Sequence, residues 1–276
     1  MRLGIDLGGT NVRVGIVDNM GLVQKVSAPS PAKMELNESL TYLKSVITPL
    51  VTPDISGIGI GVPSVMDIEQ GIVYNVTNIP AWKEVHLKKI LEDEYGIPVY
   101  LNNDSNCFTL GEKSFGEGRP FTNMLGVTLG TGVGAGVIIN NELYSGSNTC
   151  AGEIGCMRYL DNVYEHYCGS EFFATYYQMT GKEAAEKARA NDAEALEIWK
   201  EYGKHLGELI QVILFAYDPD AIVFGGGITD AYPFFSESMY ESIQSFPYPK
   251  LLEKLQVKIS NNPDIAILGA AALVRV

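Results

Sequence analysis

An internal repeat is the feature that most constrains what this chain can fold into. Segments 3–19 and 125–141, LGIDLGGTNVRVGIVDN and LGVTLGTGVGAGVIINN, align without gaps at an offset of 122 residues. Each copy predicts an apolar strand, a tight turn of Gly and Thr, a second apolar strand and a polar turn containing Asn. Matched flanks on both sides favour a duplication over two unrelated hairpins that share turn chemistry. The chain is therefore expected to contain two similar halves.

The apolar patterns after each hairpin predict helices and strands in alternation. Helices are predicted at 40–50, 87–95 and 199–214, the last from a long apolar stripe, and strands at 55–62 and 97–103. Segment 218–227 predicts an Asp-Pro stop to the last helix, then a strand and a triple-glycine turn. This order predicts two α/β domains, 1–112 and 113–276, with the boundary near the polar, glycine-rich segment 108–121. The C-terminal helix is expected to pack back on the N-terminal domain. Ligands of such architectures bind between the halves.

Composition narrows the classes of partner. The 276 residues are 46% hydrophobic, which is enough for real cores, and 33 Asp and Glu against 20 Lys and Arg give a net charge of -13. So acidic a surface repels nucleic acid and anionic lipid, and neither is expected to bind. The sequence shows no signal peptide and no apolar stretch long enough to cross a bilayer. Its four cysteines are expected to be reduced, in a soluble cytoplasmic protein.

The glycine turns indicate phosphate binding. Glycine has no β-carbon, so the backbone N–H groups of 8–10 and 130–134 can approach an anion closely, and two such loops could hold a polyphosphate. Asp6 aligns with Thr128, so only the first loop offers a carboxylate suited to Mg²⁺. Taken alone, each loop is more often an ordinary β-hairpin. The Walker pattern and the dinucleotide-binding pattern are both absent from the sequence.

Over essentially its whole length the chain resembles the ROK family of sugar kinases, repressors and related proteins. The matching motifs, in family order, are DLGGT at 6–10, GVP at 61–63, NNDSN at 102–106, LGTGVGAG at 129–136, AGEIG at 151–155 and FGGGI at 224–228. The resemblance implies an α/β, actin-like (ribonuclease-H-like) ATPase fold with the active site in the cleft between two similar domains. It also implies ATP with Mg²⁺, and a homodimer. The residues implied in nucleotide binding are Asp6, Gly8, Gly9, Thr10, Asn11, Thr131, Gly132, Gly134, Gly226 and Gly227.

Asp104 is the predicted catalytic base. It lies where a predicted strand passes into a predicted helix, and an Asp at such a junction is more often a plain N-cap. The resemblance favours catalysis, because the family places its catalytic Asp in this Asn-Asp pair. Asp104 would orient the sugar hydroxyl and accept its proton, while Asp6 acts on Mg²⁺. The residues implied in sugar binding are Asn78, Asn103, Glu153, Cys156 and Glu171.

The segment from Cys156 to Glu171 departs from the family pattern. Family members carry a structural zinc site of one His and three Cys, but here Cys156 takes the His position, and His166 and Cys168 take the first two Cys positions. The third Cys is absent. Three ligands could still bind zinc with Cys150 or water as a fourth, but structural zinc sites normally have four protein ligands, so no zinc is expected. A thiol at 156 is also expected to alter the hexose preference.

Functions of other classes remain as alternatives. A sugar-responsive repressor would need a DNA-binding helix-turn-helix ahead of the first loop, which begins here at Leu3, and the acidic charge also disfavours it. A catalytically silent sugar-binding protein would fit the altered segment, although Asp6, Thr10 and Asp104 are all present. A filament or chaperone role has only fold analogy in its favour. The sequence therefore favours an ATP-dependent sugar kinase, without identifying the sugar or the hydroxyl.

Overall fold

The computed structural model describes residues 1–274, which form two compact units. The first unit contains Met1–Pro120, Gly136–Ala151 and the chain from Ser260 onward, and the second contains Phe121–Ala135 and Gly152–Ile259. Both units are discontinuous in sequence, unlike the continuous ranges 1–112 and 113–276 expected above, because strand and helix segments from the second half of the chain pack in the first unit. Among the described residues, no helix is both long and apolar enough to cross a membrane.

The elements of residues 1–120 are β1 (Arg2–Leu7), β2 (Asn11–Val17), β3 (Leu22–Pro29), α1 (Leu36–Ile47), β4 (Ile58–Val62), β5 (Val65–Asp67), β6 (Ile72–Tyr74), β7 (Glu84–Val85), α2 (Leu87–Tyr95), β8 (Val99–Asn103) and α3 (Asp104–Phe115). The elements of residues 121–274 are β9 (Met124–Leu129), β10 (Val133–Ile139), β11 (Glu142–Leu143), β12 (Arg158–Tyr159), β13 (Asn162–Val163), α4 (Tyr164–Cys168), α5 (Glu171–Tyr177), α6 (Gly181–Arg189), α7 (Ala193–Tyr217), β14 (Ala221–Gly225), α8 (Tyr232–Ile243), α9 (Pro249–Leu252), β15 (Gln256–Ile259) and α10 (Ile265–Ala272). Short 3₁₀ turns lie at Thr48–Leu50, Ile154–Cys156 and Gly227–Ala231.

The two large sheets have the same strand order. One sheet runs β3-β2-β1-β4-β8 and the other β11-β10-β9-β14-β15, so each hairpin supplies the second and third strands. In both sheets the first strand of the hairpin pairs in parallel with the next strand along the sheet, β1 with β4 and β9 with β14. The shared order supports the duplication, because two unrelated hairpins would not be expected to sit in equivalent places of equivalent sheets.

A row of glycines lets the C-terminal helix lie directly on the first sheet. Gly15, Gly4 and Gly59 are neighbours across β2, β1 and β4. A β-carbon on Gly4 would overlap the carbonyl oxygen of Ile267, and one on Gly59 would overlap that of Ala270. Helix α10 also packs against α3 in the same unit. The backbone contact therefore depends on glycine at these strand positions.

Helix α7 is the centre of the second unit. Its N-terminus is capped by the Asp192 side chain, which accepts a hydrogen bond from the backbone N–H of Ala195 at 2.9 Å. The helix ends at Asp218, which has a left-handed backbone conformation and precedes Pro219. Its apolar face packs against α8, α6 and α4. The long stripe and the Asp-Pro stop predicted from the sequence are therefore confirmed.

Candidate functional site

The first glycine loop joins β1 to β2 and presents several backbone groups to solvent. The Gly8 N–H donates to the Asn11 carbonyl at 2.9 Å, which closes the turn, and the Thr10 carbonyl accepts from the Ser30 N–H at 2.8 Å. Gly9, Thr10 and Asn11 are exposed. The loop thus keeps its peptide N–H groups and the Thr10 hydroxyl near the surface, as phosphate binding requires.

Asp6 is paired with an arginine that the sequence prediction overlooked. Arg13 lies directly across the hairpin from Asp6, in register on β2. Its Nε donates to Asp6 Oδ2 at 2.9 Å, its Nη2 donates to the same oxygen, and its Nη1 donates to the Pro263 carbonyl at 2.9 Å. The residue that aligns with Arg13 in the second hairpin, at an offset of 122, is Ala135. The two hairpins therefore differ by an ion pair and not only by one carboxylate.

Asn78 lies against the first loop. A β-carbon on Gly9 would be 2.8 Å from the Asn78 Nδ2 and 2.9 Å from its Cγ, so only glycine fits here without displacing the amide. Asn78 itself is exposed. The structure thus brings together a residue predicted for sugar binding and a loop predicted for phosphate binding, within one unit.

Asp104 is the first residue of α3, and Asn103 is its N-cap. The Asn103 Oδ1 accepts from the Ser105 N–H at 2.9 Å, and the Asp104 Oδ1 accepts from the same N–H at 2.9 Å. Behind them, the buried Asn102 Oδ1 accepts from the Asn103 N–H and from the Asn106 Nδ2, both at 2.9 Å. The Asn-Asp pair is therefore held in a network of amides, and Asn103 has the capping role that the sequence left open for Asp104.

The second glycine loop, 130–134, is tied to the segment that follows α4. The Gly130 N–H donates to the Gly132 carbonyl at 3.0 Å, and the Gly130 carbonyl accepts from the Ser170 N–H at 2.8 Å. The Val133 N–H donates to the Glu165 Oε2 at 3.0 Å. Thr131 at the tip is exposed. This loop is thus supported by side-chain and backbone contacts from the region where the chain departs from its family pattern.

A cavity of about 460 Å³ opens beside the second loop, entirely within the second unit. Gly226, with φ of 92°, makes the turn after β14, and a β-carbon there would overlap the Leu129 carbonyl oxygen. The next residue, Gly227, lines the cavity. The cavity is lined by Gly130, Ser170, Thr180, Gly181, Lys182, Ala185, Glu186, Arg189, Trp199, Gly227, Ile228, Asp230 and Ala231.

Most of this lining was missed from the sequence, because it combines residues far apart in the chain. Trp199 was named only as the start of the predicted helix at 199–214, and Gly181 and Lys182 belong to no motif of the sequence analysis. Trp199 is 1% exposed, and within residues 1–274 its Nε1–H has no hydrogen-bond partner. A volume of this size with apolar walls and a few polar groups is suited to a small organic ligand.

Glu153 and Cys156 lie together at the 3₁₀ turn. The Cys156 Sγ is 3.8 Å from the Glu153 Oε2. Glu153 is an exposed residue, but desolvation by the surrounding protein raises the pKa of its carboxyl group. The negative charge of Glu165 raises this pKa further. A β-carbon on Gly155 would overlap the Val133 carbonyl oxygen. Gly155, the last residue of AGEIG, is thereby packed on the second loop.

Glu171 and the residues at the altered zinc positions are arranged differently from a metal site. The Glu171 Oε2 lies 3.6 Å from the His166 Nδ1. Cys168 is fully buried, and its carbonyl accepts from the Tyr202 hydroxyl at 2.7 Å, while Cys156 is exposed. Across the described part of the chain, no group of three or more His, Cys, Asp or Glu side chains is placed to bind a metal ion.

A cluster of aromatic rings packs this altered segment on α7. The rings of Tyr159 and Tyr164 stack with centroids 4.2 Å apart, and Tyr167 meets Tyr159 edge-on at 5.2 Å. The Tyr159 hydroxyl and the His205 Nδ1 are hydrogen-bonded at 3.0 Å. Burial lowers the pKa of His205 and therefore favours its neutral form. Ring packing thus connects the β12–β13 hairpin and α4 to the core of the unit.

The duplicated sheets and their glycine hairpins define an α/β protein with the actin-like ATPase fold. The sequence profile of the ROK family matches residues 2–276, so the chain belongs to the ROK family. Both predictions are confirmed.

Three proteins illustrate what the chain is similar to. A glucokinase from Halalkalibacterium halodurans is 28% identical over an alignment 313 residues long, which covers 99% of this chain and 94% of that protein. The xylose repressor of Bacillus subtilis is 30% identical over 210 residues, covering 71% of this chain and 54% of the repressor. The crystal structure of a ROK family glucokinase from Streptomyces griseus, in complex with glucose and AMPPNP, matches with a TM-score of 0.82 and 24% identity and covers 99% of both chains.

Proposed function

We infer that this protein is an ATP-dependent sugar kinase that phosphorylates a hexose or an N-acetylhexosamine. The observation that carries the inference is the position of Asp104, at the start of α3 and next to the Asn103 side chain that caps the helix. Because Asn103 supplies the cap, capping alone does not explain an Asp at 104. A carboxylate at this point is suited to orient a sugar hydroxyl and to accept its proton as the oxygen attacks the γ-phosphate.

Nucleotide binding is assigned to the two loops and to the cavity of the second unit. Gly9, Thr10 and Thr131 are exposed residues, and their backbone N–H groups are proposed to bind phosphate oxygens. The cavity beside Gly130 and Gly227 is large enough for a purine ring and its ribose. The relative from Streptomyces griseus, which was crystallised with glucose and AMPPNP, supports the assignment of both ligand classes.

Asp6 is the residue proposed to act on Mg²⁺. Both bonds from Arg13 end on Oδ2, which leaves Oδ1 as the oxygen that would meet the ion or its bound water. When bound with ATP, Mg²⁺ supplies positive charge to the phosphate oxygens. Arg13 holds the carboxylate in one orientation and so prepares it for that contact.

Sugar recognition is assigned to Asn78, Asn103, Glu153, Cys156 and Glu171. Carboxylates and amides are suited to bind polyols, because each can form hydrogen bonds with several hydroxyl groups. A wrong substrate would leave some of these groups without a hydrogen-bond partner, which makes the site selective. Asn103 would act through its amide nitrogen, since its oxygen caps α3. The thiol of Cys156, close to the Glu153 carboxylate, is proposed to set a hexose preference that Cys156→His would change.

The direct test is ADP release in a coupled assay over glucose, N-acetylglucosamine, N-acetylmannosamine, fructose and mannose, with a reaction lacking sugar as the control. The proposal expects ADP release that depends on at least one of these sugars. Release with none of them, together with sugar binding measured by calorimetry, would instead favour the catalytically silent sugar-binding protein.

A further inference from the structure

Glu165 is a carboxylate at the second glycine loop to which the sequence prediction assigned no role. It lies in α4, and its Oε2 accepts the Val133 N–H at 3.0 Å, at the point where the loop passes into β10. A β-carbon on Gly132 would overlap this same Oε2 and would lie 2.7 Å from the Glu165 Cδ. A side chain at 132 would therefore have to displace the Glu165 carboxylate from its place beside the loop.

The contact forms part of a larger attachment of the loop. The Ser170 N–H donates to the Gly130 carbonyl at 2.8 Å, and a β-carbon on Gly169 would lie 2.8 Å from the Thr131 carbonyl oxygen. The Val133 carbonyl is also packed against Gly155. Among these contacts, only Glu165 holds the loop through a charged side chain, and hydrogen bonds to charged groups are stronger than neutral ones.

We propose that Glu165 is a positioning residue for the phosphates of the nucleotide. By accepting the Val133 N–H, it fixes the 130–134 loop in the conformation that receives the phosphates, so that ordering of the loop does not have to accompany binding. The inference rests on the proposed function only for the identity of the ligand, a nucleoside polyphosphate. Glu165 does not belong to the lining of the 460 Å³ cavity, so recognition of the base is expected to be independent of it.

The length of the Glu165 side chain and its negative charge are expected to have opposite effects on ATP affinity. Reach matters because the oxygen must meet the Val133 N–H, whereas the negative charge opposes a polyphosphate bound to the same loop. Glu165→Gln keeps an oxygen at the same reach and removes the charge. Glu165→Asp keeps the charge and shortens the side chain by one methylene group. Glu165→Ala removes both.

The test measures the dissociation constants of ATP, ADP and adenosine by calorimetry in the full-length protein. Glu165→Ala and Glu165→Asp are expected to weaken ATP and ADP binding by about tenfold or more, the scale of one hydrogen bond to a charged group. Glu165→Gln is expected to bind ATP at least as tightly as the unaltered protein. Adenosine binding is expected to stay within about twofold in every variant. The matched control is Glu237→Ala, an exposed residue of α8 in the same unit.

A second measurement needs no ligand. Hydrogen exchange in peptides covering the 130–134 loop is expected to be faster in Glu165→Asp than in Glu165→Gln, because only the latter retains the bond to Val133. Unchanged ATP affinity in Glu165→Asp, or a parallel loss of adenosine affinity, would overturn the inference. Failure of the proposed function looks different: no sugar would be phosphorylated, while the variants would still differ in ATP binding and in hydrogen exchange.

Discussion

Replacement of Arg13 by methionine is expected to lower the free energy of unfolding by about 2 kcal/mol. The Asp6 side chain is only 10% exposed, and Arg13, at 34%, donates twice to its Oδ2 and once to the Pro263 carbonyl. Removal of Arg13 leaves a largely buried carboxylate without its charge partner. Hydrogen bonds to charged groups contribute about 1.5–3 kcal/mol. Because Arg13 is partly exposed, the expected loss of unfolding free energy lies in the lower part of that range.

Urea unfolding of three variants tests this reasoning. Lys25→Met removes a more exposed ion pair, Lys25 to Asp264 at 2.7 Å, and is expected to cost only about 0.5 kcal/mol. Asp6→Asn in the Arg13→Met background removes the unpaired charge and is expected to recover part of the lost stability. The reasoning would be refuted by an Arg13→Met protein no less stable than Lys25→Met, or by a double variant that recovers nothing.

Three further predictions concern the folded state. Burial lowers the pKa of His205 below 6.5, so the unfolded chain takes up a proton before the folded protein does, and stability is expected to fall as the pH drops through 6.5. Thermal melts of His205→Asn should therefore show a melting temperature that changes less between about pH 7 and 5 than that of the unaltered protein. Burial raises the pKa of Glu112 above 4.5, so ionisation of this carboxyl group opposes folding as the pH rises past 4.5. In urea unfolding at neutral pH, Glu112→Gln should be more stable than the unaltered protein, whereas at pH 4 it should show no such gain. A β-carbon on Gly269 would overlap the Cys107 carbonyl oxygen, so Gly269→Ala should lower the free energy of unfolding by more than about 3 kcal/mol. Ala266→Gly in the same helix should lower it by only about 1 kcal/mol.

Local sequence patterns predicted two similar α/β halves, whereas the actin-like fold was implied by the resemblance to the ROK family. The repeat predicted two similar halves because alternating apolar residues and glycine turns specify a hairpin without help from distant contacts. The stripe at 199–214 and the Asp-Pro stop after it predicted α7 in the same way. Domain ranges were harder to predict, since α10 is placed by the glycines of β1 and β4, more than 200 residues earlier in the chain.

Site residues could be proposed from the sequence only where a single segment carries them. The Asn-Asp pair and the glycine loops are contiguous, so their residues could be named. Arg13 could have been found from the hairpin register, which places it opposite Asp6. The Glu165 contact and the cavity around Trp199 could not be, because they join α4, α6 and α7 to the loop through tertiary packing that has no local signature.

The most direct test of the central claim compares turnover and nucleotide affinity in Asp104→Asn. With the sugar that gives the fastest ADP release, the account predicts turnover lower by at least about a hundredfold, the scale of lost general-base catalysis, and an ATP dissociation constant within about threefold of the unaltered protein. Asparagine keeps the shape and the Oδ1 acceptor of Asp104 at the start of α3, so folding is expected to be preserved. Turnover equal to that of the unaltered protein would contradict the role of Asp104, and with it the proposed mechanism.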